Sequence, residues 1–388
     1  MSEDVNPRKK TRRILSIIGS LLSFAALTYI AIMLITGRDL SLSRLLAFFS
    51  SRESVELADE YYFDVGRDRV FADLGSSCAA AGTLGIQVLD TGGNEALRNP
   101  FRMSRPALSS NGGQAIAFDI GGTSICVFDK TRVIASIETD SAIISASINE
   151  KGYFCVCTQG TGGFKGIATV YSGKGIVIFS ASLSSGYILS AMLSPDSRSL
   201  AILNLADDGS RITFYHDLTS EVSDGVFNLP GGLIIDIWYL SENELIAVST
   251  ESLFTVDRDG EGRKLFDFSG RRLHAYTLNG DFLVLHLLDY GVGYRGQLIT
   301  LDTNGQLIGE LYTDHEFISM SSGDGYLAVL RNDGLSFFSV DLQELSLSDE
   351  SIYTAGANRI LAFGDGAALA TGDHTAVVFR RAERSTMH

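Results

Sequence analysis

The chain has 388 residues, 45% hydrophobic and 20% charged, which excludes a disordered polyelectrolyte and fits one large closed fold or two ordinary domains. Its 40 glycines against 5 prolines point to many tight turns between short strands. The net charge of −15 repels phosphate backbones and excludes nucleic acid as a partner of the main domain.

Residues 1–13 are a basic tail in which Arg8, Lys9, Lys10, Arg12 and Arg13 outweigh Glu3 and Asp4. Residues 14–36 (ILSIIGSLLSFAALTYIAIMLIT) carry no charge. As a helix they span about 34 Å, enough to cross a hydrocarbon layer of ~30 Å. A cleaved signal peptide has a shorter apolar core and a small-x-small site, whereas this run continues into Gly37-Arg38-Asp39. The segment reads as a retained signal-anchor. The basic tail then stays in the cytoplasm, and the rest of a single-pass cell-membrane protein lies outside it. Residues 37–60 read as a juxtamembrane helix or linker. Asp39 or Ser41 can cap it, and Leu42, Leu45, Leu46 and Phe49 share one face. Such a helix would lie on the membrane or under the main domain, and a plain stalk accounts for the segment equally well.

Residues 61–388 repeat. Strands ending in aspartate recur as Gln87-Val88-Leu89-Asp90, Cys126-Val127-Phe128-Asp129, Phe254-Thr255-Val256-Asp257, Ile299-Thr300-Leu301-Asp302 and Phe338-Ser339-Val340-Asp341. Turns such as Arg258-Asp259-Gly260 and Thr303-Asn304-Gly305 follow them and supply the positive φ of hairpins. Upstream of each lies a second hairpin, as in ASINEKGYFCVC and AMLSPDSRSLAIL. Units begin near Val70, Pro106, Ile144, Ile188, Ile234, Leu273, Phe317 and Ile360. A period of roughly 40 residues with four strands per unit predicts an all-β propeller of eight blades, or seven if the first unit is not a blade. The last unit has three strands, and Tyr61-Tyr62-Phe63-Asp64-Val65 is expected to supply its fourth and close the ring.

SPDSRSLAIL resembles the turn of WD-repeat and TolB-type blades. The order of Arg38-Asp39-Leu40-Ser41, Pro106-Ala107-Leu108, Ala117-Phe118-Asp119-Ile120-Gly121-Gly122, Ile144-Ser145-Ala146-Ser147-Ile148 with Gly152-Tyr153, and Leu193-Ser194-Pro195-Asp196 resembles a domain-of-unknown-function family of membrane-anchored propellers from clostridial Gram-positive bacteria. The resemblance implies architecture and carries over no catalytic residues.

No motif marks a catalytic, metal or cofactor site. Cys155 and Cys157 share one strand face about 7 Å apart, too far for an easy disulfide, and read with Cys78 and Cys126 as buried small hydrophobes. Gly291, Gly293 and Gly296 match G-x-G-x-x-G, but a strand is expected after them where a dinucleotide site needs a helix. Asp257, Asp259 and Glu261 lack the distal ligands of a calcium loop. The 6 histidines are scattered, and one tryptophan, Trp238, is too few to dock a quinone cofactor. Three loops read as unusually long: 159–166, 205–210 and 288–296. They offer Phe164, Lys165, Asp207, Asp208, Asp289, Tyr290, Tyr294 and Arg295, aromatics with mixed charge that suit a protein or envelope-polymer partner if the loops share a face. The leading expectation is a non-enzymatic binding or scaffold module. The alternative is an enzyme acting on envelope glycan or peptide with carboxylates in the channel.

Overall fold

Alternating apolar residues punctuated by glycine turns fold as the repeat demands. In the computed structural model, which describes residues 53–381 apart from 76, 91, 292, 349–355 and 373–375, every regular element is a β-strand. Eight four-stranded blades cover 70–100, 106–138, 143–183, 187–230, 234–267, 272–313 and 317–348, with 357–381 completing the eighth together with Glu53–Glu60. Blade starts fall within three residues of those expected from the repeat. The basic tail, the expected transmembrane helix and residues 37–52 lie outside the described residues. Among the described residues no helix is long and apolar enough to cross a membrane.

Each blade is apolar on both faces, so it must be covered twice, and the ring does this. Eight hydrophobic clusters each join two successive blades, from Ala79, Val88, Ala117 and Phe128 between blades 1 and 2 to Cys78, Leu89, Leu369 and Val378 between blades 1 and 8. The four cysteines are free and buried; Cys155 and Cys157 face the same cluster between blades 3 and 4.

The recurrent aspartate has a structural task. Asp257 ends the third strand of blade 5, and its Oδ1 accepts the N–H groups of Asp259 (3.0 Å) and Glu261 (2.8 Å), capping the turn to the outer strand. Gly260 sits there at φ 86°, where a Cβ would come within 2.6 Å of the Val226 backbone of blade 4. Asp90 and Asp302 act alike. In blade 7 the frame differs from expectation. The strand ends at Ser339, whose hydroxyl takes the capping role on Gln343 N–H (3.1 Å), and Asp341 lies in the turn, accepting the Ser339 hydroxyl.

Inner strands have one edge paired within the blade and the other free toward the channel, so their backbone groups need other partners. Short polar side chains provide them. Ser147 donates to Ala191 O (2.7 Å), while Ser319 and Ser321 accept the N–H groups of Ile360 (3.2 Å) and Ala362 (3.0 Å). Just beyond the inner strands a relay of amides repeats the idea: Asn111 to Asn149 O (2.7 Å), Asn149 to Ser194 O (2.8 Å), and Asn279, the last residue of its strand, to Gly323 O (2.8 Å).

Closure differs from expectation in one respect. The fourth strand of blade 8 is Glu53–Glu60, not Tyr61–Val65, so the propeller begins eight residues earlier than the expected boundary at 61. Glu53–Glu60 runs antiparallel to Ala376–Arg381, and Glu53 and Ser54 also pair in parallel with Ser346 and Leu347 of blade 7. The segment that pairs has the polar sequence ESVELADE. The aromatics that suggested a strand, Tyr61 and Phe63, turn into the core between blades 8 and 1.

Candidate binding face

Each inner strand begins on one face of the ring, here the upper face, and ends on the lower. Loops joining second to third strands, and connections from one blade to the next, fall on the upper face. All three expected loops join second to third strands, in blades 3, 4 and 6, so the topology brings them to this one face.

Two of them are long. Residues 160–165 bulge out between Gln159 and Gly166, with Phe164 45% exposed and Lys165 N–H held by Leu183 O (2.7 Å). Residues 289–295 span Leu288 to Gly296; Asp289 and Arg295 form an exposed ion pair (3.5 Å), and Asp289 N–H donates to Arg295 O (2.9 Å). Tyr290 is 70% exposed, and the Tyr294 hydroxyl bonds Glu316, which raises its pKa. The third loop is shorter than expected. The ladder continues to Ala206 opposite Gly209, leaving Asp207-Asp208 as a two-residue turn; Gly209 at φ 145° and the bond from Gly231 N–H to Asp208 O (2.6 Å) close it tightly. Gly296 starts a strand, so the G-x-G-x-x-G letters belong to a hairpin with no helix behind it.

The face holds more than the sequence pointed to. The strongly exposed aromatic side chains among the described residues are Tyr62, Phe164, Tyr187, Tyr290, Tyr294 and Tyr312, and all six lie on the upper face. Tyr62 is in the connection into blade 1, Tyr187 opens the inner strand of blade 4, and Tyr312 closes the outer strand of blade 6. A cavity of about 920 Å³ opens here, lined by Tyr62, Arg67, Arg69, Arg105 and Arg359 from blades 8, 1 and 2.

Across the ring a β-bulge recurs near the start of the inner strand in blades 3 to 8, leaving Ile144, Leu189, Ile235, His274, Ile318 and Asn358 without a cross-strand partner. Ile235 and Ile318 are 40% and 41% exposed. The bulges therefore form a collar at the upper mouth of the channel in which Ile235 and Ile318 are the exposed apolar members, His274 and Asn358 are exposed and polar, and Ile144 and Leu189 pack against the blade cores. Sequence reasoning missed both features. The signal was the repeat position itself: Arg69 and Arg105 each immediately precede an inner strand.

Serine recurs along the inner strands, as Ser109, Ser145, Ser147, Ser190, Ser319 and Ser321, and acids are few. Asp236 is an exception; it accepts from the Tyr276 hydroxyl (3.1 Å), and burial raises its pKa. At the lower mouth Asp73, Asp324 and Asp365 surround a cavity of about 380 Å³. Burial pushes Asp73 up to about 6, aided by the charges of Asp365 and Asp324 and opposed by Gly75 N–H and Lys130. Among the described residues no group of His, Cys, Asp and Glu is placed to hold a metal ion.

The family of unknown function DUF5711 matches residues 52–341, most of the chain. The chain belongs to this family. No curated protein matches it in sequence. Among solved structures it is similar to BamB from Moraxella catarrhalis (TM-score 0.54, 16% identity, 86% of this chain and 99% of that one). It is also similar to Sqt1 from Saccharomyces cerevisiae (0.56, 11%, 86% and 99%) and to the C-terminal WD40 domain of Sif2 (0.61, 11%, 85% and 99%). At these identities the likeness supports the propeller fold of DUF5711 and leaves its function to the site.

Proposed function

We propose that this DUF5711 protein is a binding or scaffold module whose upper face captures a protein or cell-envelope polymer. One observation carries the reading: among the described residues the six strongly exposed aromatic side chains lie on one face, which also carries the arginines around Tyr62. Tyrosine and arginine dominate the energetics of interfaces, because each offers a large contact area together with a polar group. In this reading residues 14–36 anchor the chain in the cell membrane, the tail before them is cytoplasmic, and the propeller is extracytoplasmic. The charge-free run and the basic cluster before it support that orientation. Within the domain the chain enters at Glu53 on the lower face.

The test is crosslinking in intact cells followed by affinity capture, comparing the wild type with a Tyr290→Ala, Tyr294→Ala, Arg295→Ala triple variant. A partner captured by the wild type and lost from the variant is the expected result. Undiminished capture by the variant removes the 289–295 loop from the site. A second reading draws on the lower mouth, where Asp73 is poised near 6 beside two further carboxylates, as general acid–base chemistry on a glycan or peptide would require. Absence of any partner from well-expressed protein, with turnover of envelope glycans or peptides, would favour it.

A further inference from the structure

We propose that the upper mouth of the channel takes an extended acidic segment of a partner protein. Its carboxylates would lie on the arginines of blades 8, 1 and 2, and its apolar side chains on the collar opposite. The proposal rests on the reading of the upper face as the binding face and names the chemistry of what binds there.

The arginine arc is held ready. Arg69 Nη2 donates to Gly372 O (3.1 Å) and Arg105 Nε to Ile120 O (3.0 Å), so both guanidinium groups are positioned by backbone carbonyls and keep donors to spare. Arg67 and Arg359 are exposed, and their side chains have no acceptor among the described residues. Of the nearby acids, Asp64 is already paired with Arg98 (2.8 Å). Glu60 and Asp68 share the lining, so the four arginines outnumber the acids left beside them, and the planar guanidinium fork matches a carboxylate in two-point contact.

The apolar half lies across the axis. With eight blades in the ring, an arc centred on blade 1 faces blade 5. There Tyr187 and Leu205, cross-strand partners in blade 4, stand beside Leu233 and the bulged Ile235, all more than a third exposed. Only a ligand that spans the mouth touches both halves. A polyphosphate or an unsubstituted acidic glycan gains nothing from the collar, whereas a peptide carrying acids and large apolar residues satisfies both. The exposed ring of Tyr62 borders the arginines and offers such a segment a stacking surface.

The test uses the full-length protein in detergent micelles, panned against a random peptide library. Selected peptides should combine aspartate or glutamate with aliphatic or aromatic residues. Their affinity should fall about tenfold in Arg359→Glu and in Arg67→Glu, and by a similar factor in an Ile235→Ser, Tyr187→Ser pair. These positions are on the surface, and unchanged circular dichroism separates lost binding from lost fold. Failure to select any peptide, selection of peptides without acids, or binding indifferent to the arginine variants overturns the proposal. So does inorganic polyphosphate that displaces the peptides while the apolar variant has no effect, which would assign the arginines to phosphate alone. If capture in cells still depends on Tyr290, Tyr294 and Arg295 while the arginine variants change nothing, the upper face stands and the mouth proposal alone falls.

Discussion

His286 shows how much one side chain can weigh in a packed blade. It lies in Phe282–Leu288, a strand buried along its whole length, and its imidazole is 0% exposed with neither nitrogen hydrogen-bonded. Its ring lies 5.1 Å from His274 and 4.6 Å from Phe317. Burial, then the charges of His274 and Arg272, push its pKa from 6.5 down to about 3. Between those values the unfolded chain binds the proton and the folded chain does not. This site therefore contributes stability above about pH 6.5 that is lost as the pH falls toward 3, by up to about 1.4 kcal/mol per pH unit. Asp73 works in the opposite sense between 3.8 and about 6, because the folded state there holds a proton that the unfolded state releases. Where the two windows overlap the contributions oppose each other, and the comparison of variants isolates one of them. His286→Leu should be more stable than wild type by urea unfolding at pH 7, with an advantage that grows on going to pH 4.5. An advantage independent of pH would show that His286 is solvated in the folded state. Nothing local in Leu285-His286-Leu287 announces this site, since its effect comes from what packs against it.

Among the elements, the turns that follow inner strands do more than reverse the chain. Asn149 donates to Ser194 O (2.8 Å) and Ser197 Oγ (2.7 Å) across the blade boundary and accepts the N–H groups of Lys151 and Tyr153 within its own turn. It is buried, so Asn149→Ala strands several partners at once and should cost about 2–3 kcal/mol, read as a lower unfolding midpoint. A loss below about 0.5 kcal/mol would mean that water replaces the amide. Strands, turn chemistry and blade starts were legible in the sequence because they rest on residue types at fixed spacing: alternation, Asp before Gly, Asn after an apolar run. The bulges were not. One extra residue inside a strand leaves no compositional mark, so the collar of Ile235 and Ile318 was out of reach although its strands were expected. Asp207 and Asp208 share a face with the other two loops, but they form a tight turn where the spacing suggests a long loop.

For the whole molecule, the period of the repeat points to eight blades or seven, and the structure has eight because the first unit is a full blade; the partner of the last blade follows pairing with the polar segment before Tyr61 and not aromatic content. The ring is joined where residues far apart in sequence meet, Glu56 opposite Arg380 and Leu57 opposite Phe379. Removing residues 1–60 should therefore leave blade 8 with an open edge, while removing residues 1–52 should leave the ring intact. Size-exclusion chromatography with circular dichroism checks this. A monomeric, cooperatively unfolding protein lacking 1–60 would show that closure is dispensable.

That seam also sets a timetable for synthesis. Among the described strands Glu53–Glu60 is synthesised first and its partner Ala376–Arg381 last. At roughly 5–20 residues per second the early strand stays unpaired on the order of tens of seconds while seven blades assemble behind it. A bare strand is a template for wrong pairing, and four of the eight residues in ESVELADE are acids. Its charge is thus a safeguard for the nascent chain, keeping the first strand soluble until the last one arrives to receive it.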